Sequence, residues 1–183
     1  MSSIAKAAAL VLCLFAHAAW PQPDTRWIDV PFVQQPQEGC GAASIAMVMR
    51  YWQERQGSAQ NEAADVGQIQ QALFSSQAHG IYAADVKRYL DQQGFQTFVF
   101  RGDEDLLRHH LEQGRPLIVA LQPSSGSLLH YVVVAGVDRG QHVMIVNDPA
   151  QRKLLKVDSR TFNKEWQAAG YWTLLAIPRS DAR

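Results

Sequence analysis

The sequence predicts an α+β fold with an antiparallel sheet. Two patterns carry that expectation: stretches with apolar residues at helical spacing cluster in the first half of the chain, and short apolar runs bounded by turn residues cluster in the second. Blocks of helices followed by blocks of strands argue against the alternating order of a parallel, doubly wound sheet. Size adds a third constraint, because 183 residues with 47% hydrophobic content fill one core and are too few for two.

The elements follow in order. Residues 20–29 (WPQPDTRWID) contain two prolines and read as an extended lead-in with no packed element. From Gly41 the run AASIAMVMRYW sets Ile45, Val48, Met49 and Trp52 on one helical face, so a helix starts at or just after Cys40 and closes before Gly57. Further helices are expected over Val66 to Leu73, Ala83 to Gln92, and Asp105 to Glu112, the last capped by Asp103 and closed by Gly114. Strands are expected at Phe95 to Phe100, Leu117 to Leu121, Tyr131 to Val137, Val143 to Val146, Leu154 to Val157 and Trp172 to Ile177.

Seventeen basic and seventeen acidic residues cancel, so no global field draws nucleic acid or an anionic membrane surface. The N-terminus reads as a secretory signal over residues 1–18: Lys6 supplies positive charge, Ala7 to Ala16 a short apolar run, and Ala16-His17-Ala18 a cleavage site. An apolar run of this length falls short of the roughly 20 residues of a membrane span. The expected organisation is therefore a signal (1–18), a lead-in (19–29) and one domain (30–178), exported to a periplasm or beyond, not inserted in the membrane after cleavage, and monomeric. Cleavage would discard Cys13 and leave Cys40 as the one thiol. A lone cysteine in an oxidising compartment is a liability unless it is buried or used.

Cys40 lies between Gly39 and Gly41 at a helix start, where unpaired N–H groups and the helix dipole favour an anion such as a thiolate. Taken alone, an inert packing cysteine is an equally good reading. His130 opens the run HYVVVAGVD, and Asp138-Arg139-Gly140 fits a three-residue hairpin loop with Gly140 left-handed. Val137 would then face Gln141, Val134 would face Met144, Val132 would face Val146, and His130 would face Asp148. Opposed side chains lie on one face about 4.5–5.5 Å apart at Cβ, so an imidazole–carboxylate bond becomes natural. A one-residue slip would put them on opposite faces. Nucleophile, base and orienting acid form the logic of thiol catalysis. Gln34 and Gln35, shortly before Cys40, are candidates for an oxyanion donor, although two adjacent loop glutamines are ordinary surface residues.

The segments VPFVQQPQEGCGAASIAMVMRYW (Val30 to Trp52), HYVVVAGVD (His130 to Asp138) and VNDP (Val146 to Pro149) resemble family thirty-nine of the cysteine peptidases, the papain-like enzymes typified by bacteriocin-leader processing. The resemblance implies a papain-like fold whose helical half carries the cysteine and whose sheet half carries histidine and aspartate. It implies Cys40 as nucleophile, His130 as base and Asp148 as orienting group, with no cofactor. It implies Gln35 as oxyanion donor by the spacing of short-loop members, and Gln34 by that of leader-processing members. Where many members have Cys-Gly-Pro-Ala, this chain has Cys40-Gly41-Ala42-Ala43, and Gly39 stands where leader-processing members carry an acidic residue. Those members are also fused to a transporter with a nucleotide-binding domain. Cleavage after a double glycine is therefore not expected to carry over.

The expected partner is a peptide or protein substrate, cleaved through an acyl-enzyme. Amide hydrolysis or acyl transfer would use the same residues, and a catalytically silent peptide-binding module would keep the same groove. His109 and His110 are adjacent on one helix and project about 100° apart, which makes a poor chelating pair, so no metal site is expected and both read as surface or helix-end residues. Trp166, Tyr171 and Trp172 are expected to complete the core, and RGDED (Arg101 to Asp105) to form a capped turn.

Overall fold

The computed structural model describes residues 25–59, 61–124, 126 and 128–179; the expected signal segment lies outside them. Five helices, α1 (Cys40–Arg55), α2 (Val66–Leu73), α3 (Ala83–Gln92), α4 (Glu104–Glu112) and α5 (Ser159–Ala168), accompany seven strands. The strands are β1 (Thr25–Trp27), β2 (Phe95–Arg101), β3 (Leu117–Leu121), β4 (His130–Asp138), β5 (Val143–Asp148), β6 (Arg152–Asp158) and β7 (Trp172–Pro178). All pair antiparallel in one sheet of order β2-β7-β3-β4-β5-β6, with β1 added on β4. The α+β expectation holds. Among the described helices none is long and apolar enough to cross a membrane.

The sheet has two apolar faces, and each builds its own core. Against one face packs α1, whose Ile45, Met47, Val48 and Met49 are buried with Ile118, Tyr131, Val133 and Ala135 of the sheet. Against the other pack α4 and α5, through Leu107, Leu111, Phe162 and Trp166, over Val119, Val132, Val134 and Val146. Alternate residues of β4 thus enter opposite cores, as a period of two requires. The nearly continuous apolar run of β4 reflects burial on both sides.

Three elements differ from the sequence expectation. Thr25–Trp27, expected to lie in an extended lead-in with no packed element, forms β1 and pairs with the far end of β4, Arg26 opposite Val137. Its approach requires Gly136, where a Cβ would lie 2.6 Å from Trp27 Cβ and from the Arg26 carbonyl. Helix α5 was not anticipated, because its sequence SRTFNKEWQA is polar apart from Phe162 and Trp166 one turn apart. Those two residues are fully buried, and Asp158 caps the helix by accepting from the Arg160 and Thr161 amides.

The third difference is the β4–β5 register. The loop spans four residues, 139–142, with His142 rather than Gly140 left-handed, so Val137 faces Met144 instead of Gln141. That slip of three would throw His130 and Asp148 onto opposite faces. A bulge at Ala135 returns one residue, so that Val134 faces Val146 and Val133 faces Asn147. The net slip of two preserves the shared face. Continued along the ladder, it makes His130 and Asp148 diagonal neighbours rather than opposed ones.

Candidate active site

A tight turn delivers Cys40 to the start of α1. The Gly39 amide donates to the Pro36 carbonyl at 3.0 Å, and a Cβ on Gly39 would sit 2.5 Å from Pro36 Cγ, so only glycine fits. Gly39 is the N-cap of α1 and offers no side chain to the first-turn amides. Cys40 is half-buried and free of disulfide bonding. Gly41 packs its backbone toward Ile81, 3.1 Å from where its Cβ would be, which draws the 77–82 segment against the helix start. That segment is tied to the turn by Glu38, whose carboxylate bonds His79 Nδ1 at 3.1 Å.

From the sheet side, His130 Nε2 donates to Asp148 Oδ1 at 2.8 Å. The Cys40 side chain lies close enough to act electrostatically on the same ring. With Nε2 committed to Asp148, Nδ1 is the nitrogen left for the sulfur. Burial works against charge on the ring, but Asp148 and Cys40 together outweigh it and push His130 up to about 9. Burial likewise opposes ionisation of Asp148, yet His130, the Ala150 amide and Gln151 hold its carboxyl below the usual range. Gln151 Nε2 reaches the second carboxylate oxygen, Oδ2, at 2.6 Å. The group is therefore fixed from both ends.

Gln35 arrives beside this pair because its amide donates to the Pro149 carbonyl at 3.0 Å, next to Asp148 in sequence. Its side chain is half-buried, with Oε1 buried and without a partner, whereas Gln34 is exposed. Asn147 organises the approach. Fully buried, it donates from Nδ2 to the Val30 carbonyl at 3.0 Å and accepts the Leu154 amide on Oδ1 at 2.9 Å, joining the incoming strand-like segment to β5 and β6. Asn147 was not singled out from sequence, although its place inside VNDP marked the segment. Among the described residues, the structure brings Cys40, His130, Asp148 and Gln35 to one end of the sheet.

A cavity of about 420 Å³ opens beside Cys40, lined by His79, Gly80, Tyr82, Leu129 and Tyr131 among others. Burial, reinforced by Cys40 and Asp85, raises the Tyr131 phenol, so it stays neutral. Tyr82 and Leu129 are 45% and 47% exposed. Tyr131 lies within the HYVVVAGVD segment, whereas no motif signalled Tyr82 or Leu129, which precede α3 and β4 in separate connections. Among the described residues no cluster of His, Cys, Asp and Glu could hold a metal.

Fold and site together define an α+β domain of the papain-like type. The chain belongs to the Peptidase_C39 like family, whose model matches residues 27–174. A curated relative is the lactococcin-G-processing and transport ATP-binding protein LagD of Lactococcus lactis subsp. lactis, 28% identical over 134 residues. That match covers 73% of this chain but 17% of the relative, so the chain spans only a small part of that protein's length. Among solved structures, a double glycine motif protease from an AMS/PCAT transporter, in complex with the leader peptide, superposes with TM-score 0.64 at 22% identity, covering 84% of this chain and 94% of that one. The peptidase domain of Streptococcus ComA gives 0.63 at 23%, with coverage of 82% and 100%. A putative C39-like peptidase from Bacillus anthracis gives 0.63 at 18%, with coverage of 85% and 98%.

Proposed function

We propose that the chain is an exported cysteine peptidase that hydrolyses peptide bonds through an acyl-enzyme on Cys40, with His130 as base and Asp148 as orienting group. The observation that carries this reading is the His130–Asp148 hydrogen bond with Cys40 acting on the same ring, so that His130 is pushed up to about 9. A histidine that holds its proton to that pH stabilises a neighbouring thiolate across neutrality. The thiolate attacks the scissile carbonyl carbon, and the carbonyl electrons move onto oxygen. When the tetrahedral species collapses, His130 Nδ1–H gives its proton to the leaving amine. Water, deprotonated by the now neutral His130, then attacks the thioester and releases the acid with the thiol restored.

The oxyanion would be met by the Gln35 side-chain amide and the Cys40 backbone N–H at the start of α1. Gln35 is preferred over Gln34 because it is half-buried and docked beside Pro149, whereas Gln34 faces solvent. The apolar-walled cavity beside Cys40 would take substrate side chains. The N-terminal signal pattern and the single thiol left after its removal support action outside the cytoplasm, in a periplasm or beyond, by a monomer acting on peptide or protein. Peptide mixtures digested with purified protein and read by mass spectrometry test this directly. New termini produced by the wild type and absent with Cys40→Ala support hydrolysis; acyl adducts to amines would indicate transfer. Peptides bound but left intact by the wild type would mean a silent binding module.

A further inference from the structure

The sheet face covered by α4 and α5 is left open at its edge. There Phe98 and Phe100 of β2, Leu175 and Ile177 of β7, and Leu106 of α4 surround a cavity of about 340 Å³. Phe98 faces Leu175 across the β2–β7 ladder, so both side chains stand on the same face, and Phe98 remains 44% exposed. Two polar groups complete the lining, His110 and Arg115. His110 stands against the Phe100 ring, centroids 6.0 Å apart, with its Nδ1 buried and unpartnered. Its expected place near the end of α4 holds, since it lies in the last turn, and one of its ring nitrogens is buried there.

Arg115 carries a charge that no described carboxylate answers. Of the acidic residues on α4 and at its cap, Glu112 is paired with Arg108, Glu104 and Asp105 with Arg139, and Asp103 accepts the Leu106 amide. Burial, together with Arg115 and His109, pulls the His110 pKa down, so the imidazole stays neutral beside the guanidinium. The cavity therefore joins an apolar trough to one unmatched cation, with a neutral imidazole in its lining.

We propose that this cavity is a binding site for a medium-chain aliphatic carboxylate, its chain laid along Phe98, Phe100, Leu175 and Ile177 and its carboxylate held by Arg115 and His110. An arginine fork matches a carboxylate in charge and geometry. The volume stands at the small end of the roughly 300–1,000 Å³ typical of small-molecule sites, which suits one alkyl chain. A peptide is disfavoured here, because its backbone amides would be buried among apolar side chains without hydrogen-bond partners. The site lies on β2, β7 and α4, none of which carries Cys40, His130 or Asp148. It stands whether or not the chain hydrolyses peptides.

Calorimetric titration of the purified protein with hexanoate, octanoate and decanoate, below their micelle concentrations, tests the assignment. Saturable binding of one equivalent is expected, tightening about fourfold for each added methylene until the trough is filled. Arg115→Gln should weaken decanoate about tenfold or more while leaving decanol unchanged. Phe98→Asp, at a partly exposed position, should abolish decanoate binding with the thermal midpoint retained, which separates this trough from the cavity beside Cys40. The proposal is overturned if no saturable binding occurs, if decanol binds as well as decanoate, if Phe98→Asp leaves binding intact, or if a peptide with an apolar C-terminal residue binds more tightly than the alkyl carboxylates.

Discussion

Cys40 owes its position to its neighbours in the chain, whereas His130 and Asp148 owe theirs to partners far from them. On the cysteine side, the Pro36–Gly39 turn and the first turn of α1 supply the geometry within five residues. On the histidine side, a bulge at Ala135, a four-residue loop and the buried amide of Asn147 together set which residues meet. The difference teaches that local chemistry is robust to errors in reading the chain, while register depends on irregularities with weak signals. The pair survives because a histidine and an aspartate on the same face can meet diagonally as well as directly.

Substitutions on the two sides should separate these modes. The largest effect falls on the long-range side. Gln35→Ala should lower kcat by about 2.7–4 kcal/mol of transition-state stabilisation, while Gln34→Ala leaves it nearly unchanged; equal effects would place the donor elsewhere. Asn147→Ala should cost about 2–3 kcal/mol of unfolding free energy in urea, since two buried hydrogen bonds are lost and the Val30 carbonyl and Leu154 amide are left unmet. Local change should be milder. Gly39→Ala forces Pro36 to give way and should cost about 1–3 kcal/mol, with a displaced Cys40 that alkylates more slowly than in the wild type.

The ion pair adds a pH dependence of stability. His130 is raised on folding from its ordinary value near 6.5 to about 9, so its contribution is whole below about pH 6.5 and is lost as pH rises through about 9. Asp148 is lowered, so its contribution is present above the ordinary carboxylate range and is lost as pH falls through its folded value. Thermal midpoints of the wild type should therefore decline between about pH 6.5 and 9 relative to His130→Gln. Parallel curves would deny the ion pair.

Much of the fold was legible where periodicity was strong. The bounds of α2, α3 and β3 agree with their apolar spacing, and α1 begins at Cys40 as the Gly-Cys-Gly sequence implies. Asp103 caps α4 after the RGDED turn; Trp166 is buried against the Tyr171 ring in one core, whereas Trp172, half-buried, packs on Tyr131 in the other. What stayed hidden was non-local. Helix α5 shows two apolar residues, and β1 is three residues long and recognisable only by its need for Gly136 opposite. His142 took the left-handed position that a glycine was expected to fill, lengthening the loop. The residues of the candidate site were legible and their ladder was misread: the four-residue loop moved the pairing by three, and the Ala135 bulge returned one, which kept His130 and Asp148 on one face.

The central claim is that Cys40 and His130 form a thiolate–imidazolium pair. Its most direct test is the rate of Cys40 alkylation by iodoacetamide across pH, followed by peptide mapping so that Cys13 does not contribute, in the wild type and in His130→Ala. The account predicts alkylation that is fast in the wild type and distinctly slower at the same pH in His130→Ala. Slow alkylation with the same pH profile in both proteins would contradict it, leaving Cys40 an unpaired thiol and the domain a binding module.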